Sequence, residues 1–169
     1  MDALEAILSR RSIRRYTNQP VPDAIVDELL AAAMSAPSAG NEQPWHFVVI
    51  KDRKILDAIP KYHPYSQMLT AAPMAILVCG DPSLEKHEGF WVQDCSAATE
   101  NLLLAAHAKG LGGVWLGVYP RKERVDGIRS LLKIPEHIIP FALVSLGYPE
   151  ERKPPSNRYD ATRVHRNTW

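Results

Sequence analysis

Four arginines lie close together near the start of this 169-residue chain, at positions 10, 11, 14 and 15, with Ser12 among them. A guanidinium group presents a planar fork of N–H donors that matches phosphate oxygens, and a serine hydroxyl adds a short neutral donor. On a helix end or a tight turn, Arg10 and Arg14 would project to the same side because they are four residues apart. The cluster therefore suggests a phosphate site. The alternative is a solvated helix end whose cations offset the helix dipole.

The second group with chemical potential is the loop of residues 37–44, Pro-Ser-Ala-Gly-Asn-Glu-Gln-Pro. Ser38, Asn41 and Gln43 offer uncharged donors and acceptors, which suit the polar edge of a heterocycle. Pro37 and Pro44 stiffen the two ends of the loop. Taken alone, this composition is more typical of an ordinary turn whose side chains bond their own backbone.

Alternating helices and strands must position these two groups. Four short apolar runs predict strands at residues 45–51, 74–79, 113–119 and 141–147. Periodic apolar stripes and capping residues predict helices after Asp2 and at residues 22–34, 52–59, 90–109 and 121–132. This order indicates an α/β or α+β domain in which helices cover one sheet. Residues 151–169 are polar, basic and proline-rich, without periodicity.

Composition excludes several classes of protein. The 20 basic and 19 acidic residues give a net charge of +1, which argues against a dedicated nucleic-acid binder. Two cysteines are too few for a disulfide scaffold, and no His, Asp or Glu spacing suggests a metal site. We expect one domain over residues 1–169, with no membrane span and, for want of a signal peptide, a cytoplasmic location.

Several segments, in this order and spacing, resemble the motifs of the FMN-dependent nitroreductase family. Arg10-Arg11-Ser12-Ile13-Arg14 resembles its opening phosphate motif, and residues 36–47, Ala-Pro-Ser-Ala-Gly-Asn-Glu-Gln-Pro-Trp-His-Phe, resemble its second hallmark. Residues 110–117 resemble the segment that passes the flavin ring, and residues 159–169 the tail of the short members. The likeness covers nearly the whole chain.

The resemblance implies an α+β, nitroreductase-like fold with a mixed central sheet flanked by helices. It implies a homodimer with FMN at the subunit interface and a C-terminal tail that extends onto the partner. NADH or NADPH would be a transient hydride donor, and a nitroaromatic, quinone or related small electrophile the acceptor, in a ping-pong cycle through flavin N5. No catalytic side chain is then required, since the cofactor carries the reaction.

The resemblance also assigns roles to residues. Arg10, Ser12 and Arg14 would hold the phosphate, with Arg158 and, more weakly, Lys153 from the tail. Arg11 would contribute its backbone and reach the ribityl chain or ring. Asn41 and Gln43 would meet the ring or the ribityl chain. The ring would also meet the following residues: Pro37, Ser38 and Ala39 of the partner subunit, Gln67, Trp115, Leu116 and Gly117. A backbone N–H of Leu116 or Gly117 would bond flavin N5 or O4.

Two departures from the family pattern leave the chemistry open. Residues 113–117, Gly-Val-Trp-Leu-Gly, replace the proline- and glutamate-containing segment of the longer members, and the insertion that covers the substrate there is missing. Enone reduction, dehalogenation, oxygen-dependent flavin consumption, or an FMN carrier or sensor without turnover are the alternatives. Tyr62 and Tyr65, which flank His63, are candidates for the wall of an acceptor pocket.

Overall fold

Four antiparallel strands form the centre of the fold in the computed structural model, which describes residues 1–169. They are β1 (Trp45–Ile50), β2 (Met74–Gly80), β3 (Gly112–Gly117) and β4 (Ile139–Gly147). Their order in the sheet is β1-β2-β4-β3, and every neighbouring pair is antiparallel. The only parallel pairing is a single bridge between Ser12 and Gly113 at the free edge of β3. The predicted α+β class is confirmed, and the parallel part of the sheet is limited to this bridge.

The fold has five helices: α1 (Ala3–Ser9), α2 (Asp23–Met34), α3 (Arg53–Ala58), α4 (Trp91–Ala108) and α5 (Lys122–Leu132). Helices α2 to α5 cover the sheet, whereas α1 packs on α4. Asp2 and Asp52 cap α1 and α3 by accepting hydrogen bonds from main-chain N–H groups of the first turn, which explains where both helices begin. The predicted ends of the helices and strands agree with these bounds to within about two residues. None of the helices has the length and apolar character needed to cross a bilayer.

Side chains of β2 alternate between two apolar cores, one on each face of the sheet. Met74, Ile76 and Val78 pack with α2 and α4, whereas Ala75, Leu77 and Cys79 pack on the other face with α3 and α5. Every residue of β2 is buried. The sheet is therefore the middle of three layers, and its β3 edge is the side on which the N-terminal segment lies.

The arginine segment is extended rather than helical. Helix α1 ends at Ser9, and Arg10 has the extended ψ of 134°. The chain then follows the edge of the sheet, where the Ile13 N–H donates to Gly113 O at 3.0 Å and the Thr17 N–H to Tyr148 O at 2.9 Å. The expectation that Arg10 and Arg14 project to the same side by helical spacing is therefore wrong. Main-chain pairing with the sheet edge overrides the local helical pattern.

Candidate functional site

The exposed edge of β3 supplies backbone groups to the site. In an antiparallel pair, alternate residues bond the neighbouring strand, and the others turn both N–H and C=O away from it. Val118 N–H bonds Phe141 O, its partner in the register, so Leu116 also faces β4. Gly113 O, which accepts from Ile13 N–H, faces outward, and so by the same alternation do Trp115 and Gly117. Of the two N–H groups predicted to meet a flavin, only that of Gly117 points out of the sheet.

A cleft of about 420 Å³ lies along this edge, and we call it the β3 cleft. It brings together five predicted site residues that are far apart in sequence, namely Arg14, Gln67, Trp115, Leu116 and Gly117, and adds His63, Tyr65, Met68 and Arg124. A side-chain atom added at Gly117 would meet nothing within 4 Å, so the cleft is open at this point. The cleft offers open space beside outward-facing backbone groups of β3.

His63 fixes the end of β3 at the cleft. Its Nε2 lies 2.9 Å from Gly117 O and its Nδ1 accepts from the Tyr65 N–H at 3.3 Å, so the neutral Nε2–H tautomer satisfies both contacts. Burial first, and the nearby Arg124 charge second, lower the pKa of His63. The imidazole is therefore neutral at physiological pH. Its one N–H is engaged by Gly117, so His63 positions the strand and is not a free proton donor.

A second cleft, of about 400 Å³, lies between the arginine segment and the chain after β4, and we call it the tail cleft. Arg11, His107, Arg152 and Lys153 contribute to its wall. One guanidinium donor of this wall, Arg11 Nη2, is buried without any hydrogen-bond partner. Buried donors normally have partners, and a charged one without a partner is especially costly. The arrangement fits an anion with several acceptor oxygens, as a phosphate has.

The chain after β4 is tied to the arginine segment by hydrogen bonds. Lys153 Nζ donates to Ser12 O at 2.6 Å, and Arg11 Nε donates to Pro154 O at 2.8 Å. Glu151 Oε1 accepts from the Arg14 N–H at 2.6 Å. This main-chain hydrogen bond, together with the Lys153 charge, lowers the pKa of Glu151. The predicted phosphate residues Arg11, Ser12 and Lys153 therefore lie together.

Two predicted phosphate residues lie elsewhere. Arg14 lines the β3 cleft with the residues predicted for the ring, because the extended segment carries it three residues past Arg11. Arg158 is exposed and lines neither cleft. Arg10 is oriented by an ion pair in which its Nε lies 3.6 Å from Glu100 of α4.

The loop of residues 37–43 does not reach either cleft within one chain. It packs on the start of α4, where the Ala39 N–H donates to Asp94 Oδ1 at 3.0 Å, and Ser38 Oγ accepts from the Gln43 N–H at 3.1 Å. Pro37, Ser38 and Ala39 border a separate shallow cleft with Phe90 and Gln93. Asn41 and Gln43 are exposed, with φ of 56° and 48°. That these residues act on a partner's cofactor stays a prediction.

Two buried carboxyl groups support this loop. Glu42 Oε2 accepts from the Lys86 N–H at 2.7 Å, while Glu42 Oε1 and Asp94 Oδ2 are buried without another partner. Burial, and then the adjacent Glu42, raise the pKa of Asp94. Burial also acts to raise the pKa of Glu42, but hydrogen bonds from the Lys86 main chain and from Asp94 outweigh it and lower that pKa. A proton held by Asp94 and donated to Glu42 satisfies both orphaned oxygens.

Four residues of the β3 cleft were not predicted to bind the cofactor: His63, Tyr65, Met68 and Arg124. His63 and Tyr65 stood in the loop that we named as a candidate acceptor wall, so a local signal existed for them. Tyr62 of the same loop packs instead on α5, where its ring lies against Gly127. Arg124 carries no local signal, since it is one of several charged residues on α5. No group of three or more His, Cys, Asp and Glu side chains is arranged to hold a metal ion.

Comparison with known proteins assigns the chain to a family. The model of the nitroreductase family matches residues 7–67 and 60–148. A protein of Methanothermobacter thermautotrophicus with the provisional name NADH dehydrogenase/NAD(P)H nitroreductase is 55% identical over 100% of this chain and 88% of its own length.

Two solved structures extend the comparison. A protein of the same provisional name from Parabacteroides distasonis has a TM-score of 0.95 at 42% identity, over 98% of each chain. A provisionally named nitroreductase from Desulfovibrio desulfuricans, solved in complex with FMN, has a TM-score of 0.86 at 34% identity. It is matched over 100% of this chain and 99% of its own. This chain belongs to the nitroreductase family, and its fold is the nitroreductase fold.

Proposed function

We propose that this protein uses NADH or NADPH to reduce nitroaromatic, quinone or related small electrophilic acceptors through bound FMN. Family membership defines the class, an NAD(P)H-dependent flavin oxidoreductase with FMN as cofactor. The observation that carries the assignment of the site is the pair of neighbouring clefts. One is bordered by outward-facing backbone groups of β3, and the other holds a buried guanidinium donor, Arg11 Nη2, without a hydrogen-bond partner.

The spacing of the two clefts suits a ring joined to a phosphate. Arg11 borders the tail cleft and Arg14 the β3 cleft, and three residues of extended chain span about 10 Å. Arg11 Nη2 would donate to the phosphate oxygens, with Arg10 and Lys153 as further cations. Arg14 would lie at the ring rather than at the phosphate, where its positive charge favours electron-rich oxygen and nitrogen atoms.

FMN, when bound, accepts a hydride from the nicotinamide and passes two electrons to the acceptor. The chain itself binds and orients. Gly117 presents an N–H at the edge of β3 and lets a ring approach closely, because it has no side chain. His63 keeps the Gly117 carbonyl in place through its single N–H. No side chain of the cleft is required as a nucleophile.

The proposal includes a homodimer of a one-domain chain that spans residues 1–169. The loop of residues 37–43, which includes Asn41 and Gln43, lies apart from the β3 cleft of its own chain. A second chain is therefore needed to bring this loop to a ring. The tail offers exposed aromatic side chains, with Tyr159 77% and Trp169 100% exposed. These groups suit burial against a partner subunit.

Flavin spectroscopy and rapid mixing test the proposal. The purified protein should be yellow or should take up added FMN, and NADH or NADPH mixed in under argon should bleach the flavin within seconds. A colourless protein that does not take up FMN would contradict the site. Bound FMN that neither nucleotide bleaches would identify a carrier or sensor instead.

Steady-state assays separate the possible acceptors. We expect a nitroarene or a quinone to be reduced faster than by free reduced FMN at the same concentration. If only oxygen is consumed, and neither organic acceptor is turned over, the reductase assignment fails while the flavin site stands.

A further inference from the structure

Arg124 of α5 is a charged residue of the β3 cleft for which the proposed function has no use. Its Nη1 donates to Gly117 O at 2.7 Å, and its guanidinium carbon lies 5.5 Å from the centre of the Tyr65 ring. These contacts hold the group in one place. Its Nε and Nη2 donate to no protein acceptor, and no carboxylate pairs with it. A positioned guanidinium with free donors is suited to bind an anion.

The cleft as a whole is positively charged. Its nine lining residues include two arginines and no aspartate or glutamate, and the neutral His63 adds no charge. The Arg14 guanidinium has no ion pair either. Glu151 is held by the main chain of Arg14, but it lines the tail cleft. Because cations that line a cleft concentrate the field within it, anionic ligands are favoured there.

The two arginines lie at different points along β3. Arg14 reaches the cleft from the N-terminal segment, which lies beside Gly113 near the start of β3. Arg124 is bonded to Gly117, four residues past Gly113, which corresponds to about 13 Å along the strand. In the proposed complex, Arg14 contacts the cofactor. Arg124 is therefore available to bind a second molecule in the same cleft.

Apolar groups around Arg124 define the rest of that molecule. Tyr65, Met68 and Leu116 line the same cleft and offer surface to a flat organic body. A carboxylate matches the fork of guanidinium donors and forms a stronger hydrogen bond than a neutral group does. We propose that Arg124 binds the carboxylate of the electron acceptor, so that flat electrophiles carrying a carboxylate are the preferred acceptors. This inference rests on the proposed function for its second substrate.

Equilibrium binding of two unreactive probes tests the inference without turnover. Benzoate and benzamide have the same shape and differ in charge. We expect the oxidised, flavin-loaded protein to bind benzoate about tenfold more tightly than benzamide, measured by calorimetry or by the change in flavin absorbance. The preference should shrink as salt is raised. Equal affinities in the wild-type protein would overturn the proposal, whatever the variants do.

Matched variants assign the preference to one residue. Arg124→Gln should reduce the ratio of the benzoate affinity to the benzamide affinity to about one, since it removes the charge and keeps a polar side chain. Arg124→Lys should retain part of the ratio. Arg121→Gln removes a charge just before the same helix, outside the cleft, and should leave the ratio unchanged. A ratio that survives Arg124→Gln, or that Arg121→Gln abolishes equally, contradicts the assignment.

Half-reactions then separate the acceptor from the nicotinamide. The pre-reduced protein should transfer electrons to 4-nitrobenzoate about tenfold faster than to 4-nitrobenzamide at low concentrations, and Arg124→Gln should remove this difference. If Arg124→Gln slows bleaching by NADPH and leaves the benzoate preference intact, the guanidinium serves the donor, and the proposal is wrong. Failure of the proposed function gives a different result: bound flavin that neither nucleotide bleaches leaves the benzoate measurement interpretable, whereas a protein that takes up no FMN overturns both proposals.

Discussion

At the scale of single residues, the chain buries polar atoms that destabilise the fold unless a hydrogen-bond partner binds them. Arg11 buries a guanidinium donor without a hydrogen-bond partner, and Asp94 and Glu42 each bury an unpaired carboxyl oxygen. A bound phosphate would satisfy the Arg11 donor in the proposed complex. One shared proton satisfies the two carboxyl oxygens within the protein.

Arg14→Ala should weaken FMN binding by roughly 1.5–3 kcal/mol, the value of a hydrogen bond to a charged group. Arg15→Ala is the matched control, because Arg15 is exposed, pairs with Glu150 at 3.8 Å and lines neither cleft. It should change binding by less than about 0.5 kcal/mol. Titration of FMN into both variants measures the two dissociation constants, and an unchanged constant for Arg14→Ala would remove Arg14 from the site.

The Asp94 pair predicts a pH dependence of stability. A carboxyl whose folded pKa is raised contributes stability at low pH, and this contribution is lost as pH rises through the folded pKa. Asp94→Asn keeps a donor toward Glu42 and has no proton to lose. From about pH 5 to about pH 8, above the unfolded pKa of both groups, the wild-type free energy of unfolding should fall relative to that of Asp94→Asn.

Denaturant unfolding at several pH values measures this difference. Glu42→Gln is the second arm, because the amide that this substitution introduces donates to an ionised Asp94 and should also flatten the profile. If wild type and both variants keep parallel profiles, the two carboxyl groups do not share a proton.

At the scale of elements, the glycines at the two ends of β3 have different structural roles. At its start, Gly112 lets the arginine segment lie against the sheet, since a side-chain atom there would stand 2.7 Å from Ile13 Cβ. At its end, Gly117 faces open space beside the cleft. One strand therefore positions the segment that bears the proposed phosphate ligands and also borders the proposed ring.

Alanine substitution at these two glycines should separate folding from binding. Gly112→Ala should lower the free energy of unfolding by about 1–3 kcal/mol, because Ile13 cannot move away without its main chain. Gly117→Ala should change it by less than about 1 kcal/mol and weaken FMN binding by about tenfold. Chemical denaturation and FMN titration on both variants give the four values. Unchanged FMN affinity in Gly117→Ala would place the ring elsewhere.

At the scale of the whole molecule, one chain leaves much apolar surface exposed. Leu4 and Leu8 of α1 are 70% and 66% exposed, and the tail adds Tyr159 and Trp169. The loop of residues 37–43 also stands apart from the cleft that it is predicted to serve. A second copy would cover the apolar groups and complete the site at the same time.

Sedimentation over a dilution series should therefore show a species of twice the 18.9 kDa chain mass. The double variant Tyr159→Ser and Trp169→Ser should weaken the dimer by about 2 kcal/mol, or about 30-fold, as expected for aromatic groups buried in an interface. Leu84→Ser, which alters an exposed apolar residue outside the tail, is the control. A single 18.9 kDa species at every concentration would contradict the dimer.

Much of the fold could be predicted from local patterns. Apolar runs located all four strands, and Asp2 and Asp52 marked the starts of two helices, because capping and burial act over a few residues. The family motifs, together with the resemblance they carry, located the arginine segment and the end of β3. Local patterns and the family resemblance were therefore enough to predict the class, the fold and five of the nine residues that line the β3 cleft.

Only the tertiary structure decided how these residues are grouped. Pairing with the sheet edge extends the arginine segment, and so it separates Arg14 from Arg10 and moves it to the β3 cleft. The alternation of the ladder selects the Gly117 N–H over that of Leu116. Arg124 joins the same cleft from a helix distant in sequence. Such groupings depend on contacts between segments far apart in the chain, which local residue patterns do not encode.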